Sequence, residues 1–250
     1  MTRRGLRASG LEKNLRVQIR TLGDLALTID MADAVSRSTS ETVLSSATAL
    51  RNAALPGVRE VVPAFCSITV HLDAPPRDSA ALQARILALL DGDVQEPPER
   101  RRFTIPVLYG GAAGPDLDEL ADLCRLPAAE VVARHGGRAY HVHMLGFLPG
   151  FAYLGEVEEA LRQPRLDRPR TRVSQGSVAV ADAMTAVYPS ASPGGWRLIG
   201  QTPVRMFDPE RAMPCPLAAG DVVTFSPINS ARFAELSADV ADGYWLEPDA

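Results

Sequence analysis

The chain has 250 residues, with 26 lysines and arginines against 30 aspartates and glutamates, and a formal net charge of −4 at pH 7. This length suits one large domain or two small ones, and the acidic balance predicts no nucleic-acid or membrane partner. No run approaches the roughly 20 apolar residues of a membrane span, and the start lacks the apolar core of a signal peptide, so we expect a soluble cytoplasmic protein.

Lysine and cysteine usage excludes several kinds of chemistry. Lys13 is the single lysine, so neither a GxxxxGK[ST] phosphate loop nor Schiff-base catalysis is available. The three cysteines, Cys66, Cys124 and Cys215, include no CxxC pair, which predicts free thiols rather than disulfides or a zinc knuckle. The chain therefore carries no self-contained cofactor site of the usual kinds, and we recognise no metal site.

The first part of the chain alternates between strand and helix patterns. Residues 1–13 are polar and rich in arginine, which predicts a disordered tail. A capping box, Ser38-x-x-Glu41, predicts the start of the first helix. Apolar periodicity predicts six elements in the order ββαββα, with strands over 15–19, 25–29, 58–62 and 65–72 and helices over 38–54 and 79–90. This order indicates a compact α+β domain over residues 14–98.

A Pro-rich, charged stretch divides the chain near residue 100. Residues 94–102 read VQEPPERRR, which is typical of a linker or an exposed hairpin. A predicted strand over 103–108 follows, with two helices that begin near Asp116 and Pro127. After these helices, short apolar alternations broken by proline and glycine indicate a β-rich barrel or sandwich.

Four segments in the second half carry the most information: YHVHMLGFLPGFAYL (140–154), PRLDRPRTRV (164–173), QGSVAVADAMTAVYP (175–189) and SPGGWRLIGQTP (192–203). In this order they resemble the family of the 5-oxoprolinase B subunit, also called kinase-A inhibitor KipI or allophanate hydrolase subunit 1. The resemblance covers roughly residues 14–230. It implies a ferredoxin-like N-terminal domain over 14–98, a mainly β, cyclophilin-like barrel domain over 99–232 of the carboxyltransferase type, and a C-terminal extension over 233–250.

The resemblance also implies a function. Our leading hypothesis is one component of an ATP-dependent amide or lactam hydrolase, namely 5-oxoprolinase, which converts 5-oxoproline, ATP and water to glutamate, ADP and phosphate. The implied partners are the A subunit and the C subunit of 5-oxoprolinase, the latter similar to allophanate hydrolase subunit 2, with ATP bound by the complex rather than by this chain alone. Two alternatives stay open: a regulatory protein that inhibits a sensor histidine kinase, and a component of an allophanate or urea carboxyltransferase complex.

An arginine cluster is the best local anion site in this acidic chain. Its members lie within eleven residues of a proline-interrupted segment: Arg162, Arg165, Arg168, Arg170 and Arg172. Guanidinium groups match carboxylates and phosphates, and the resemblance points to Arg165, Arg168 and Arg170 as the catalytic residues. The alternative is a solvated loop whose arginines pair with the nearby acidic residues Glu156, Glu158, Glu159 and Asp167.

The Gly-Phe pairs around a proline form the second candidate region. We expect the turn of Gly146, Phe147, Pro149, Gly150 and Phe151 to present backbone amides to an anion or a carbonyl of the substrate. The alternative is a barrel corner whose phenylalanines fill the core.

The remaining predicted substrate-binding residues come from the GSV, YP and SPGGW motifs: Gly176, Ser177, Tyr188, Pro193, Gly194, Gly195 and Trp196. GSVAV is not the GxSxG elbow, so Ser177 is not predicted as a nucleophile. His141 and His143 share a strand face as a metal pair without an evident third ligand, and we expect His135 to interact with a helix dipole.

One segment departs from the family pattern. Residues 179–186 lack several glycines and a glutamine that family members carry, and Met184 stands in place of the glutamine. Fewer glycines mean less backbone freedom, and the lost amide removes a donor and an acceptor. The departure implies either a different substrate or a drift toward a non-catalytic role.

Overall fold

The computed structural model describes residues 17–92 and 100–249, which form two compact units divided between residues 95 and 96. The predicted tail over 1–13 and most of the predicted linker over 94–102 lie outside the described residues. No helix in the described part of the chain is long and apolar enough to cross a membrane.

The N-terminal unit is one sheet with two helices, and the predicted ββαββα order is confirmed. The elements are β1 (Gln18–Thr21), β2 (Ala26–Asp30), α1 (Arg37–Asn52), β3 (Val58–Pro63), β4 (Ser67–Leu72) and α2 (Ser79–Leu90). The strand order is β1-β2-β4-β3, and every pair is antiparallel. The core lies between the sheet and the helices, where Val43 and Leu50 of α1 and Ile68 of β4 are buried in one apolar cluster.

The predicted capping box at the start of α1 is wrong by two residues. Ser36 is the N-cap, and its side chain accepts a hydrogen bond of 3.0 Å from the Thr39 backbone N–H. Ser38 instead lies within the first turn. A serine before the turn leaves its hydroxyl free to reach the exposed N–H groups, which a serine inside the helix cannot do.

The C-terminal unit contains a closed barrel of seven strands, so the predicted β-rich barrel is confirmed. The barrel order is β10-β7-β6-β13-β5-β12-β9. The strands of the unit are β5 (Arg102–Tyr109), β6 (Ala139–Leu145), β7 (Ala152–Gly155), β8 (Arg170–Val173), β9 (Ser177–Ala181), β10 (Met184–Val187), β11 (Ser192–Gly194), β12 (Arg197–Gln201) and β13 (Val222–Pro227). Strands β8 and β11 form a separate two-stranded sheet, called here the β8/β11 ribbon.

Helices cover part of the barrel, and its core is mainly apolar. The helices are α3 (Leu117–Cys124), α4 (Ala128–Gly136) and α5 (Ser230–Ala241), with a 3-10 turn at Glu159–Leu161. Helix α5 runs across residue 232, where the sequence places a domain boundary. Residues from β5, β6 and β13, including Phe103, Tyr140 and Phe225, fill the core. Leu246, beyond α5, is also buried in this core.

His135 lies inside the barrel core, so the predicted charge–dipole role is wrong. Its Nδ1 lies 2.7 Å from the Tyr109 hydroxyl, its Nε2 lies 2.9 Å from the Thr185 hydroxyl, and its ring stacks on Phe225. Because Thr185 donates its own proton to Ala179 O, the Nε2–H donates to Thr185 and Tyr109 donates to Nδ1. Burial lowers the pKa of His135 to about 3, so the ring is neutral.

Candidate functional site

An aromatic cluster separate from the barrel core brings several predicted residues together. Phe151 lies at its centre, with ring centroids 5.4 Å from Phe147, 5.3 Å from Tyr188 and 5.7 Å from Trp196. Tyr153, which the sequence did not single out, lies 5.0 Å from Phe151. Phe147, Phe151, Tyr188 and Trp196 come from three separate motifs. With Tyr153 they form one largely buried cluster, which we call the aromatic site.

The turn from Gly146 to Phe151 uses most of its amides internally. The N–H of Gly146 donates to Phe151 O at 3.0 Å, that of Leu148 to Gly146 O at 2.8 Å, and that of Phe151 to Leu148 O at 3.0 Å. Burial raises the pKa of the Cys215 thiol, and the nearby backbone of Gly150 lowers it to a smaller extent. These three donors are engaged within the turn, and the expected amide cradle stays a prediction.

The two phenylalanines of this turn have different environments. Phe151 is 1% exposed and fills the cluster, as the core-filling alternative predicts. Phe147 is 61% exposed and holds a φ of +68°. With the Leu148-to-Gly146 hydrogen bond, this φ forms a γ-turn, a strained conformation for a residue with a side chain.

The β8/β11 ribbon packs on the aromatic cluster. Trp196 lies two residues after β11 and is buried. The carbonyl of the preceding residue, Gly195, accepts a hydrogen bond from the Leu166 N–H at 2.7 Å. A Cβ at Gly194 would overlap the Tyr188 hydroxyl and lie 2.8 Å from Tyr188 Cζ, so the glycine permits the close approach. Pro193, in the middle of β11, is exposed.

The three predicted catalytic arginines occupy different environments. Arg165 is exposed, with its guanidinium carbon 5.8 Å from the Trp196 ring centroid, and Arg168 is exposed on the same loop. Neither has an ion pair within the described ranges. The solvated-loop alternative is not observed for Glu158, which pairs with Arg134 at 2.5 Å instead. These two guanidinium groups are therefore available to an anion.

Arg170, by contrast, is held by a buried carboxylate. Its Nη2 donates to Asp116 Oδ1 at 2.5 Å, and Asp116 Oδ2 accepts the Leu198 N–H at 2.6 Å. The sequence indicated Asp116 only as an acidic residue at a helix start. A signal for the pairing was absent because the two residues are 54 positions apart.

Tyr188 places a phenol beside these cations. Burial raises the pKa of its hydroxyl, while a hydrogen bond from the Trp196 backbone and the charges of Arg165 and Arg170 lower it to a smaller extent. The phenol is therefore neutral at pH 7 and offers one proton to donate.

Gly176 and Ser177 are placed next to Tyr188 through the backbone. The Gly176 N–H donates to Tyr188 O at 2.8 Å, and the Tyr188 N–H donates to Ser177 O at 2.9 Å. Gly176 has a φ of +79°, and Ser177 is buried at the start of β9. They support Tyr188 rather than extend the aromatic site.

His141 and His143 lie side by side, and no third metal ligand joins them among the described residues. The rings of His141 and His143 are both buried, with centroids 5.0 Å apart. Within residues 17–92 and 100–249 no group of three or more His, Cys, Asp or Glu side chains could hold a metal ion. Burial lowers the pKa of His143, and the charge of Glu156 opposes the shift.

The segment that departs from the family pattern packs well. Ala179, Ala181 and Ala186 are buried in the apolar cluster with Tyr188 and Trp196. At the turn between β9 and β10, a positive φ of +51° is taken by Asp182. An aspartate tolerates this conformation better than most residues, so the chain accommodates the missing glycine there.

A cavity of about 470 Å³ in the C-terminal unit lies elsewhere. It is bordered by β5, the loop before β13 and the C-terminal residues, including Phe103, Arg211 and Trp245. None of the predicted site residues lines it, so volume alone does not locate the site. The aromatic site is instead defined by its rings, with Arg165 over the ring of Trp196.

Comparison with known proteins identifies a matching family model and similar proteins. Residues 17–217 match the family model of the carboxyltransferase domain, subdomain C and D. The chain is 38% identical over 230 residues to the 5-oxoprolinase B subunit of Bacillus subtilis strain 168, and the match covers 88% of this chain and 96% of that protein. It is 40% identical over 214 residues to the 5-oxoprolinase B subunit of Escherichia coli O157:H7, covering 85% and 96%.

A solved crystal structure is similar to this chain in fold and sequence. The crystal structure of TTHA0988 in space group P212121 matches with a TM-score of 0.72 and 38% identity over 85% of this chain. The chain spans 41% of the length of that protein.

Proposed function

The chain belongs to the family of the 5-oxoprolinase B subunit, and we propose that it is one component of an ATP-dependent 5-oxoprolinase. The observation that carries this proposal is its 38% and 40% identity to two proteins of that name, over 96% of the length of each. In this role the chain acts with an A subunit and a C subunit on the lactam 5-oxoproline.

The reaction requires ATP binding, for which this chain lacks a phosphate loop. Amide resonance makes a lactam carbonyl a poor electrophile, so ATP activates it by phosphoryl transfer before water opens the ring to glutamate, with ADP and phosphate released. This chain has no phosphate-loop lysine, because its single lysine is Lys13. We therefore assign ATP binding to the complex and expect the isolated chain to be inactive.

The aromatic site supplies charge stabilisation. Arg165 stands over the Trp196 ring, and Arg168 is free on the same loop. A guanidinium that is not already paired can bind a carboxylate or a developing phosphate charge, and the nearby ring limits its hydration. In this assignment Arg165 and Arg168 bind the substrate from the exposed loop, and Arg170 binds it from the start of β8.

The finer fold assignment belongs to the same proposal. The N-terminal unit has the order ββαββα with antiparallel sheet order β1-β2-β4-β3. Moving the last strand of a βαββαβ ferredoxin-like unit to its front gives the same order. This supports a ferredoxin-like N-terminal domain, and the closed barrel supports a cyclophilin-like second domain.

The test is reconstitution with a matched pair of arginine variants. The chain is co-expressed with its candidate partners, and glutamate formation is measured with 5-oxoproline and ATP. We expect Arg165→Ala to lower kcat/KM about 10- to 100-fold, the scale of one charge-assisted contact. Arg134→Ala, which removes an arginine paired with Glu130 and Glu158 in the same unit, should change it less than about twofold. Turnover by the isolated chain, or equal effects of the two variants, would refute the proposal.

A further inference from the structure

Arg170 has a buried donor without an acceptor. Its Nη2 is bound to Asp116, whereas its Nη1 is inaccessible to solvent and has no hydrogen-bond partner among the described residues. Buried polar atoms in native proteins are nearly always hydrogen-bonded, and each exception needs its own explanation. A cationic donor is one of the costlier groups to leave unpaired.

Asp116 holds the Arg170 guanidinium in place and does not cap helix α3 with its side chain. Aspartate is a preferred N-cap residue, yet Asp116 stands at the N-cap of α3 without a side-chain cap bond. Its Oδ2 accepts the Leu198 N–H at 2.6 Å, and its own N–H donates to Leu198 O at 2.9 Å. The carboxylate is therefore held by β12 and cannot turn to reach Arg170 Nη1.

The opposite strand of the ribbon presents a second unpaired group. Ser192 Oγ is buried and also lacks a partner among the residues that the structure describes. In the ribbon Gly194 pairs with Arg170, and Ser192 pairs with Val173. The register shifts between these two pairs, with the extra residue on β8, so β11 keeps its alternation. Residues two apart on a strand face the same side, and Ser192 therefore lies on the face where a Cβ at Gly194 would meet Tyr188.

The polar groups on this side of the ribbon can all donate a hydrogen bond. Arg170 Nη1 can only donate, and the hydroxyls of Ser192 and Tyr188 each carry one proton to donate. The nearby carboxylate, Asp116, is already engaged on both oxygens. A positive charge with neutral hydroxyl donors suits an oxygen anion.

We infer that the inner side of the β8/β11 ribbon receives one anionic oxygen of the substrate, from a carboxylate or a phosphoryl group. Arg170 Nη1, Ser192 and Tyr188 donate to this oxygen. Asp116 is the residue that positions Arg170. In the described sheets β8 and β11 pair with each other and not with a barrel strand. The inference rests on the proposed function for the identity of the substrate.

Calorimetric titration tests this site on the full chain, both alone and in complex with its partners. Three probes separate the sources of the oxygen: 5-oxoproline, inorganic phosphate, and 2-pyrrolidinone, which has the lactam but no carboxylate. We expect 5-oxoproline or phosphate to bind, and 2-pyrrolidinone not to bind. Asp116→Asn should weaken the binding about tenfold or more, since an amide cannot hold the guanidinium and the Leu198 N–H equally well.

The same unit contains a matched control. Arg101 pairs with Asp221 at 2.5 Å, and the side chains are 29% and 5% exposed, against 31% and 6% for Arg170 and Asp116. Asp221→Asn should therefore lower the thermal unfolding midpoint about as much as Asp116→Asn while leaving anion binding unchanged. Equal effects of the two variants on binding would overturn the inference.

A third variant covers the case in which Asp116→Asn fails to fold. Ser192→Ala removes a buried hydroxyl that has no protein partner among the described residues, so it should leave thermal stability unchanged or higher and still weaken binding several-fold. Binding that is insensitive to Ser192→Ala and Asp116→Asn, or no binding of either anion by wild type, would overturn the inference. Intact, Asp116-dependent binding without 5-oxoproline turnover would instead refute the proposed function and retain the site.

Discussion

The neutral His135 inside the barrel makes a quantitative prediction for stability against pH. The pKa of its ring falls from 6.5 to about 3 because the ring is fully buried. Below pH 6.5 the unfolded chain therefore binds a proton that the folded chain excludes until the pH approaches 3. The stability contributed by His135 is complete above pH 6.5 and decreases as the pH falls, by about 1.4 kcal/mol per pH unit.

The perturbation that isolates this effect is His135→Gln, which keeps a hydrogen-bonding side chain but does not titrate. Between pH 7 and pH 5, wild type should lose about 2 kcal/mol more unfolding free energy than the variant. Carboxylates that are paired in the fold affect both proteins alike and cancel in the difference. Urea unfolding at the two pH values, followed by tryptophan fluorescence, measures it, since Trp196 and Trp245 both lie in this unit. Equal losses in the two proteins would refute the buried neutral ring.

Three further predictions concern single positions. Gly194→Ala should lower the thermal unfolding midpoint and reduce turnover of the complex at least tenfold, because a Cβ there would overlap the Tyr188 hydroxyl. Gly195→Ala is the control: its Cβ would lie 3.5 Å from the nearest atom, so neither the midpoint nor the turnover should change. Phe147→Gly should leave the midpoint unchanged or higher by calorimetry, since it relieves a φ of +68° and removes an exposed ring. Ser36→Ala should destabilise the N-terminal unit by about 1 kcal/mol in urea unfolding, and Ser38→Ala by much less, which would locate the cap of α1.

Local patterns predicted most of the fold. Strand alternation over 58–62 and 65–72 corresponds to β3 and β4, since side chains on opposite faces of a strand differ in burial. The change to short strands punctuated by glycine and proline after residue 140 predicted the barrel. Both signals are local in sequence, so one chain was enough to find them.

The parts that sequence reasoning missed depend on distant contacts. Asp116 and Arg170 are 54 positions apart, and His135 reaches Thr185 across 50 positions. Phe147, Phe151, Tyr188 and Trp196 were predicted together from family motifs, and their rings lie together in the structure, while their binding of substrate stays a prediction. Hydrogen bonds inside the turn at Gly146 could not be foreseen, since glycine spacing indicates backbone freedom and not which donors stay free.

The most direct test of the central claim is glutamate formation from 5-oxoproline and ATP by the partner proteins, measured with and without this chain. We expect little turnover without the chain, and turnover that rises with added chain until one assembled complex is saturated. Full turnover by the partners alone would contradict the account. A chain that forms no complex with them would also contradict it and would favour the kinase-inhibitor alternative.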